Sequence, residues 1–247
     1  MIYIFIDFSL SFQTISAAGA HSAIPNYDGK KRDKMVRDDD VYLFESGAKY
    51  IDGTTDVART IWHLNPAPDF VHHNTLVLKG HIALAISKFP AHTFATNLDS
   101  LSRWGLWQAG LDFEFGQEFW QGQLLYEAKT TSYGHLPANL ETPIVAGQVM
   151  TIEPGYFTKD TYGIRIENCY EVVKTEVESG ATDFLTFQPL TLVPIQTSII
   201  DKTLLTKVEI KWLNNYHDRV VEEVGACLNE LGKESARLWL EKACKHI

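Results

Sequence analysis

Two glutamates stand inside short apolar runs of the chain, where a carboxylate is costly to bury. The segment MTIEPGYFTKDTYGIRIENC, residues 150–169, carries Glu153 and Glu167 on stretches with a strand-like pattern. A buried carboxylate without a partner is strongly unfavourable or takes up a proton, so such a residue is normally paired with a cation. The cation is either a neighbouring arginine or a bound metal ion.

An arginine is available in the same segment. In GIRIEN, the two-residue period of a strand places Arg165 and Glu167 on one face and two isoleucines on the other. This pattern alone is compatible with an ion pair between Arg165 and Glu167 on a half-exposed strand. Glu153 is followed by a Pro-Gly pair, which predicts an extended backbone at a strand end and then a sharp turn.

Two further carboxylates favour the metal ion. The segment FESGAKYIDGTTDVART supplies Glu45 and Asp56 from two neighbouring predicted strands, so we expect them to converge with Glu153 and Glu167. Hard divalent cations prefer oxygen ligands, and a carboxylate that bridges two ions is usual in two-metal hydrolases. The four residues are therefore predicted to be metal ligands.

The elements that must position these residues follow an α+β order. Strands are predicted first, with a hairpin turn at Asp52–Gly53, then two helices, of which the second begins with Asn97 as its cap. Strands return before two C-terminal helices, and this block order differs from regular βαβ alternation. The predicted strands lie at 12–18, 41–47 and 148–175, and the predicted helices at 69–89, 97–110, 204–231 and 233–244.

Composition limits the partners. The chain has 247 residues, 45% of them apolar, and its 22 basic and 31 acidic residues give a formal charge of −9. This balance argues against nucleic acid and anionic membranes as partners. The apolar start, MIYIFIDFSLSF, is too short to span a bilayer. Three scattered cysteines indicate a reducing compartment, so we expect a cytoplasmic location.

Several long motifs carry a family resemblance. The chain resembles the catalytic domain of the cytosolic animal type of Xaa-Pro aminopeptidase, or aminopeptidase P, a pita-bread metallopeptidase. The motifs are DGTTDVART, LVLKGHIALA, TIEPGYF, YGIRIENCYEVV and FLTFQPLTLVPIQTSIIDKTLL. The resemblance implies an α+β pita-bread fold, with antiparallel sheets and helices packed outside. It also implies a two-manganese site, cleavage of peptides with proline at the second position, and a homodimer.

The resemblance also assigns the site residues. Asp56, Glu153 and Glu167 stand at three of the family's ligand positions, and Glu45 stands where the family has an aspartate. Arg165 is predicted to bind substrate. One metal position keeps Glu45, Asp56 and Glu167, and the other loses its nitrogen ligand. The remaining all-oxygen set suits magnesium, calcium or a single manganese, so we expect one ion or none.

The departures from the family concern its histidines. The glycine-rich segment that carries the metal-binding histidine reads GQEFWQG here, with Phe119 at the ligand position and Trp120 after it. Two histidines that handle substrate in the family are replaced by Asn26 and Tyr126. Bulky Phe119 and Trp120 are also expected to fill the cleft where the substrate backbone approaches.

The chain's own nine histidines do not replace the missing ones. We interpret them as surface or packed residues. His81 and His92 are predicted in or near a helix, His72 and His73 on its early turns, and His135 in a loop.

Three functional hypotheses remain open. Loss of the imidazoles predicts a catalytically impaired pseudoenzyme that binds a peptide or a protein. The retained carboxylates favour a residual metal-dependent Xaa-Pro aminopeptidase instead, and a third alternative is a structural subunit. Residues 1–247 are expected to form one pita-bread domain, without the family's N-terminal domains and without the start of the catalytic domain.

Overall fold

Antiparallel sheets and helices make up the described part of the chain. The computed structural model describes residues 9–30, 34–50, 53–113, 143–180 and 182–247. Within these ranges, twelve strands form four sheets, and every strand pair is antiparallel. None of the helices there is both long and apolar enough to cross a bilayer.

The strands divide between two halves of the chain. Those of the first half are β1 (Ser9–Leu10), β2 (Ile15–Ala18), β3 (Tyr42–Ser46), β4 (Ala48–Tyr50), β5 (Gly53–Thr54), β6 (Val57–Ile61) and β7 (Phe89–Pro90). Those of the second half are β8 (Val149–Ile152), β9 (Gly155–Thr158), β10 (Tyr162–Arg165), β11 (Asn168–Thr175) and β12 (Phe184–Pro189). The sheets have the orders β1-β4-β5, β2-β3-β6, β10-β9 and β7-β12-β11-β8.

Helices lie between and after these strands. They are α1 (Pro68–Ala85), α2 (Ala95–Gln108), α3 (Lys207–Glu230) and α4 (Glu234–Ala243), with short 3-10 turns at Gly19–Ala23, Thr197–Ile199 and Lys202–Leu204. Helix α1 contacts α2, α3 and strands of two sheets, and residues on nearly all of its sides are buried. A helix that is apolar all round is expected at such a central position.

Two large clusters of apolar side chains hold these layers together. One joins α1 to α3, α4 and β10, and includes Phe70, Leu78, Ile164 and Leu213. The other packs the four-stranded sheet against α2 and the end of α1, with Tyr170 among its fully buried members. Helix α1 therefore connects both clusters and lies behind the strands that carry the predicted ligands.

The hairpin predicted at residues 52–53 is confirmed by its pairing, although Asp52 lies outside the described residues. Lys49 pairs with Thr54, and Tyr50 pairs with Gly53. The predicted strand at 12–18 is shorter than expected and begins at Ile15. The strand-like region 148–175 contains four separate strands, β8 to β11.

The predicted helices are confirmed with bounds that differ by up to four residues, and one predicted cap is wrong. Helix α1 ends at Ala85, because the chain then enters β7, where Phe89 pairs with Leu185. Helix α2 begins at Ala95, so Asn97 is inside its first turn, and the N–H of Asn97 already donates to the carbonyl of Phe94. The N-cap residue is Phe94, and it makes no side-chain capping bond.

Helix α3 starts with a capping box that predicts a measurable stability effect. The Thr206 hydroxyl accepts from the N–H of Glu209, and the Glu209 carboxylate accepts from the N–H of Thr206. Thr206→Ala should destabilise the protein by about 1 kcal/mol, which lowers the melting temperature by roughly 2–4 °C for a chain of this size. Thr206→Ser should retain most of the stability. Equal losses in the two variants, measured by thermal unfolding, would show that the cap contributes nothing.

Candidate metal centre

Three of the four predicted ligands come together in the structure. Glu45, Asp56 and Glu167 each offer a carboxylate oxygen, and these oxygens all lie within 4.8 Å of one another. Glu45 and Glu167 are buried, and Asp56 is half-buried. Glu45 belongs to β3, Asp56 immediately precedes β6, and Glu167 lies between β10 and β11. Residues distant in sequence are therefore brought to one point by the ends of three strands.

The pairing of β3 with β6 explains how Glu45 and Asp56 meet. In β3, Leu43 and Glu45 face the interior while Phe44 is exposed, as the two-residue period of a strand requires. Beyond the last ladder pair, the strands stay close, and a Cβ atom at Gly47 would lie 1.9 Å from the carbonyl oxygen of Thr55. Only glycine fits at this approach, which brings Asp56 beside Glu45.

The position of Glu153 follows from the pairing of β8 with β11. Asn168 pairs with Ile152, and continuing this register by one residue places Glu167 opposite Glu153. Glu153 is buried, and its Oε1 accepts a hydrogen bond of 2.9 Å from the hydroxyl of Thr151. It therefore lies beside the three clustered carboxylates, and its role as a metal ligand stays a prediction.

Arg165 supplies a positive charge on the same side. It is buried at the end of β10, and its Nη1 donates a hydrogen bond to Glu45 Oε2. Its Nε lies 3.9 Å from Glu153 Oε2, and its Nη2 lies 3.4 Å from the carbonyl oxygen of Pro25. The hydrogen-bonded partner of Arg165 is thus Glu45, which lies on another strand. The alternative was an ion pair of Arg165 with Glu167 on a half-exposed strand; its setting is wrong, because both side chains are buried, although the charge of Arg165 does lower the pKa of Glu167.

Both side-chain oxygens of Glu167 are buried and accept no hydrogen bond from the described residues. Burial, followed by the charges of Glu153, Asp56 and Glu45, raises the pKa of Glu167 well above its usual value, against the opposing effect of Arg165. These surroundings disfavour the charged carboxylate unless a further cation is present.

The charge balance of the cluster also favours a further cation. Burial lowers the pKa of Arg165, but the charges of Glu45, Glu153 and Glu167 outweigh burial, so this pKa stays above its usual value. Arg165 is therefore charged, and with all four carboxylates ionised the formal charge of the cluster is −3; a proton on Glu167 reduces it to −2.

The geometry fits a hard divalent ion. Such ions bind oxygen at about 2.0–2.6 Å, so ligand atoms around one ion lie no more than about 5 Å apart. The separation of up to 4.8 Å between the oxygens of Glu45, Asp56 and Glu167 satisfies this limit. A donor set made of carboxylates suits manganese, magnesium or calcium better than soft metals.

Arg59 holds the backbone around the site, a role that sequence analysis did not predict. Its Nη1 donates to the carbonyls of Ala58 and Glu167, at 2.8 Å and 2.6 Å. Its other donors reach Asn168 Oδ1 and the carbonyls of Val193 and Pro194. The one available signal was an arginine inside an otherwise apolar strand.

Cys169 also borders the site. Its Sγ donates to the carbonyl oxygen of Asp56 at 3.3 Å. Burial and the charge of Asp56 raise the pKa of Cys169 to about 11. The thiol is therefore protonated at neutral pH, when no ion is bound.

The positions that replace the family's histidines are mostly outside the described residues. Phe119, Trp120 and Tyr126 fall there, so their predicted effects stay predictions. Asn26 is exposed and directly follows Pro25, whose carbonyl contacts Arg165. The segment that carries Asn26 therefore flanks the carboxylate cluster.

The histidines in the described ranges are surface or packed residues, as predicted. His81 is fully buried in α1, and His72 is exposed on the first turns of that helix. No histidine belongs to a metal-binding group in the part of the chain that the structure describes. His135 lies outside that part.

Comparison with known families gives two consecutive matches. Residues 7–174 match metallopeptidase family M24, and residues 183–247 match the C-terminal region of peptidase M24. Solved structures of this family include the prolidase of Pyrococcus horikoshii, which is 26% identical with a TM-score of 0.59 and covers 74% of this chain and 48% of that chain. The fold is therefore the α+β pita-bread fold, as predicted.

Two nematode proteins are similar over nearly the whole chain. Xaa-Pro aminopeptidase app-1 of Caenorhabditis elegans is 51% identical over 97% of this chain and 39% of its own length. Protein pid-5 of the same organism is 43% identical over 95% of this chain and 22% of its own length. The chain thus spans less than half of either relative.

A crystal structure of X-prolyl aminopeptidase from C. elegans superposes with a TM-score of 0.90 at 51% identity. It covers 97% of this chain, and this chain covers 39% of it. That protein is described as a cytosolic enzyme with a di-nuclear active site.

The raised pKa of Glu167 predicts a pH-dependent effect in the metal-free protein. When the pH rises above the pKa that Glu167 has in the unfolded chain, the unfolded chain loses this proton while the folded protein keeps it. The wild type therefore loses stability until the pH passes the higher pKa that Glu167 has in the folded protein. Glu167→Gln should therefore be more stable than the wild type at pH 7–8 without metal. The difference should shrink towards pH 5.

Thermal unfolding in the presence of a chelator measures this effect, and Glu171→Gln, on β11 outside the cluster, is the control. A Glu167→Gln variant that is less stable than the wild type throughout this pH range would contradict the unfavourable placement of the charged carboxylate.

Proposed function

The chain belongs to metallopeptidase family M24, and on that premise we propose that it is an Xaa-Pro aminopeptidase-like protein that binds one divalent cation and peptides with proline at the second position but does not cleave them. The observation that carries the proposal is the group of Glu45, Asp56 and Glu167, in which both side-chain oxygens of buried Glu167 lack a hydrogen-bond partner among the described residues. We propose manganese as the ion and the cytoplasm as the location.

Support for peptide binding comes from the relatives. The similar proteins named Xaa-Pro aminopeptidases act on peptides in which proline follows the first residue, as their names state. In this chain, Arg165 lies beside the cluster and contacts the segment that carries Asn26. If Arg165 binds substrate, as proposed, the peptide lies between the carboxylate cluster and the segment that carries Asn26.

The absence of cleavage follows from the residue types at three positions. A divalent ion, when bound, supplies Lewis acidity towards a peptide carbonyl. Hydrolysis also needs groups that move protons and stabilise developing charge, and loss of one such group typically slows a reaction about a hundredfold or more. Asn26, Phe119 and Tyr126 stand where the family has imidazoles, and none of them can act as a general base near neutral pH.

The same replacements limit the number of ions. Glu45, Asp56 and Glu167 form one complete group of oxygens, whereas a second ion beside Glu153 needs a nitrogen ligand at the position of Phe119. Arg165 also lies between Glu45 and Glu153 and already neutralises part of their charge. We therefore propose a mononuclear centre, in contrast to the di-nuclear site described for the similar C. elegans structure. Dimerisation is a further proposal that rests on the family alone.

Metal analysis tests the stoichiometry. After dialysis against excess Mn²⁺ and then buffer, the chain should retain at most one ion, and Glu167→Ala should retain none because it removes a carboxylate whose two oxygens accept no hydrogen bond from the described residues. Millimolar Mn²⁺ should also raise the melting temperature of the wild type, since binding to the folded state stabilises it by RT ln(1 + [L]/Kd). Two tightly held ions per chain, or a melting temperature unchanged by manganese, magnesium and calcium, would overturn the mononuclear centre.

Peptide cleavage tests the absence of catalysis. The unmodified protein with Mn²⁺ should release no residue from Arg-Pro-Pro, although the peptide should bind in a direct calorimetric titration. Phe119→His should increase metal affinity without producing turnover, because catalytic groups that act together are strongly non-additive. Only the combined change of Asn26, Phe119 and Tyr126 to histidine with Glu45→Asp is expected to give measurable cleavage.

The control for cleavage is Glu167→Ala. Turnover by the unmodified protein that disappears in this variant would replace the proposal with the residual aminopeptidase. Absence of both peptide binding and turnover would instead favour the structural subunit.

A further inference from the structure

The direction of the Glu167 carboxylate is set by its backbone. Because its side-chain oxygens accept no hydrogen bond from the described residues, nothing on the side chain itself selects one orientation in the absence of an ion. The N–H of Glu167 donates to the carbonyl of Ala58 at 3.1 Å, and its own carbonyl accepts from Arg59 at 2.6 Å. The carbonyl group of Ile166, on the other side of the same peptide bond as the Glu167 N–H, has its own partner.

The partner of the Ile166 carbonyl is a histidine of the central helix. His81 Nδ1 lies 3.1 Å from the carbonyl oxygen of Ile166, and His81 Nε2 lies 2.7 Å from the hydroxyl of Tyr170. A carbonyl oxygen can only accept, so Nδ1 carries the proton and Nε2 accepts from Tyr170. His81 and Tyr170 are both fully buried, and the pair joins α1 to the two sides of the Glu167 segment.

The protonation state of His81 agrees with these contacts. Burial, and then the charge of Arg59, lowers the pKa of His81 to about 3. The imidazole is therefore neutral at physiological pH, with one donor and one acceptor. Its ring also packs edge-on against Trp212 of α3, with ring centroids 5.8 Å apart, which restricts its rotation. The donor to Ile166 is thus held in one direction.

We propose that His81 is a positioning residue for the metal centre, and that its Nδ1–H, oriented by Tyr170, fixes the Ile166–Glu167 peptide so that the Glu167 carboxylate points towards Glu45 and Asp56. The inference rests on the proposed cation site for its effect on metal affinity. The effect on the backbone is independent of any ion. Groups that orient a ligand from behind typically change metal affinity about 10–100-fold when they are lost.

A histidine that only fills space in the core would give a different result. In that case, any smaller residue at position 81 should lower stability, and the effect on the metal centre should follow the loss of stability. The positioning role instead depends on which nitrogen is replaced. An asparagine amide reaches the place of Nδ1 and can still donate to Ile166, whereas a glutamine amide reaches the place of Nε2 and can only contact Tyr170.

The experiment compares His81→Asn with His81→Gln. Isothermal titration with Mn²⁺ alone should give a dissociation constant within about threefold of the wild type for His81→Asn, and one about 10–100-fold weaker for His81→Gln. Both variants should lose stability because both remove ring atoms from the core. Tyr170→Phe should weaken Mn²⁺ binding less than His81→Gln does, since it leaves the donor to Ile166 in place.

A matched control lies on the same helix. Asn74 is buried and donates from Nδ2 to the carbonyl of Ile199 at 3.0 Å, in a contact that involves none of the clustered carboxylates. Asn74→Ala should lower stability without changing the Mn²⁺ dissociation constant. A weakened constant in this control would show that general destabilisation is sufficient to loosen the site.

Hydrogen exchange of the metal-free protein separates the two proposals. The amide of Glu167, which is bonded to Ala58, should exchange faster in His81→Gln than in His81→Asn, relative to amides of α3 in the same sample. Equal exchange and equal Mn²⁺ affinity in the two variants would overturn the positioning role. If exchange is faster in His81→Gln but the wild type binds no Mn²⁺, the backbone role is confirmed and the cation site is rejected.

Discussion

A buried carboxylate must take up a proton or be compensated by a cation, and Glu167, which accepts no hydrogen bond from the described residues, imposes this constraint on the structure around it. Its neighbours Glu45, Asp56 and Glu153 add to the negative charge, while Arg165 compensates only part of it. A cluster of this kind destabilises the folded chain until a cation is bound. The energetic cost of burying these groups is understandable if they serve to bind an ion.

The surrounding fold can be understood as the means of holding this cluster together. The close approach at Gly47 joins the segments that carry Glu45 and Asp56, and Arg59 joins the second of these to the backbone of Glu167. Helix α1 lies behind the site and reaches it through His81. Each of these contacts fixes backbone, and the carboxylates are left to face one another and a cation.

The sequence was sufficient to predict that Glu45, Asp56 and Glu167 come together, but not how the charged groups around them pair. Glu45, Asp56 and Glu167 could be found because charged residues on apolar strands need an explanation. The partner of Arg165 could not, because the strand period indicates only which residues share a face, whereas Glu45 reaches it from a different sheet. His81 was interpreted as a packed residue, since its two partners lie 85 and 89 residues away in the chain. The wrong Asn97 cap shows the same limit, because the first turn of α2 is fixed by its packing and not by a capping side chain.

A crystal structure of the protein soaked in Mn²⁺, with anomalous diffraction measured near the manganese absorption edge, is the decisive test of the proposed cation site. The structure predicts one anomalous peak per chain, with oxygens of Glu45, Asp56 and Glu167 at about 2.0–2.6 Å from it. The absence of an anomalous peak at the cluster, or a manganese ion bound by other residues, would contradict the conclusion that these carboxylates are buried in order to hold an ion.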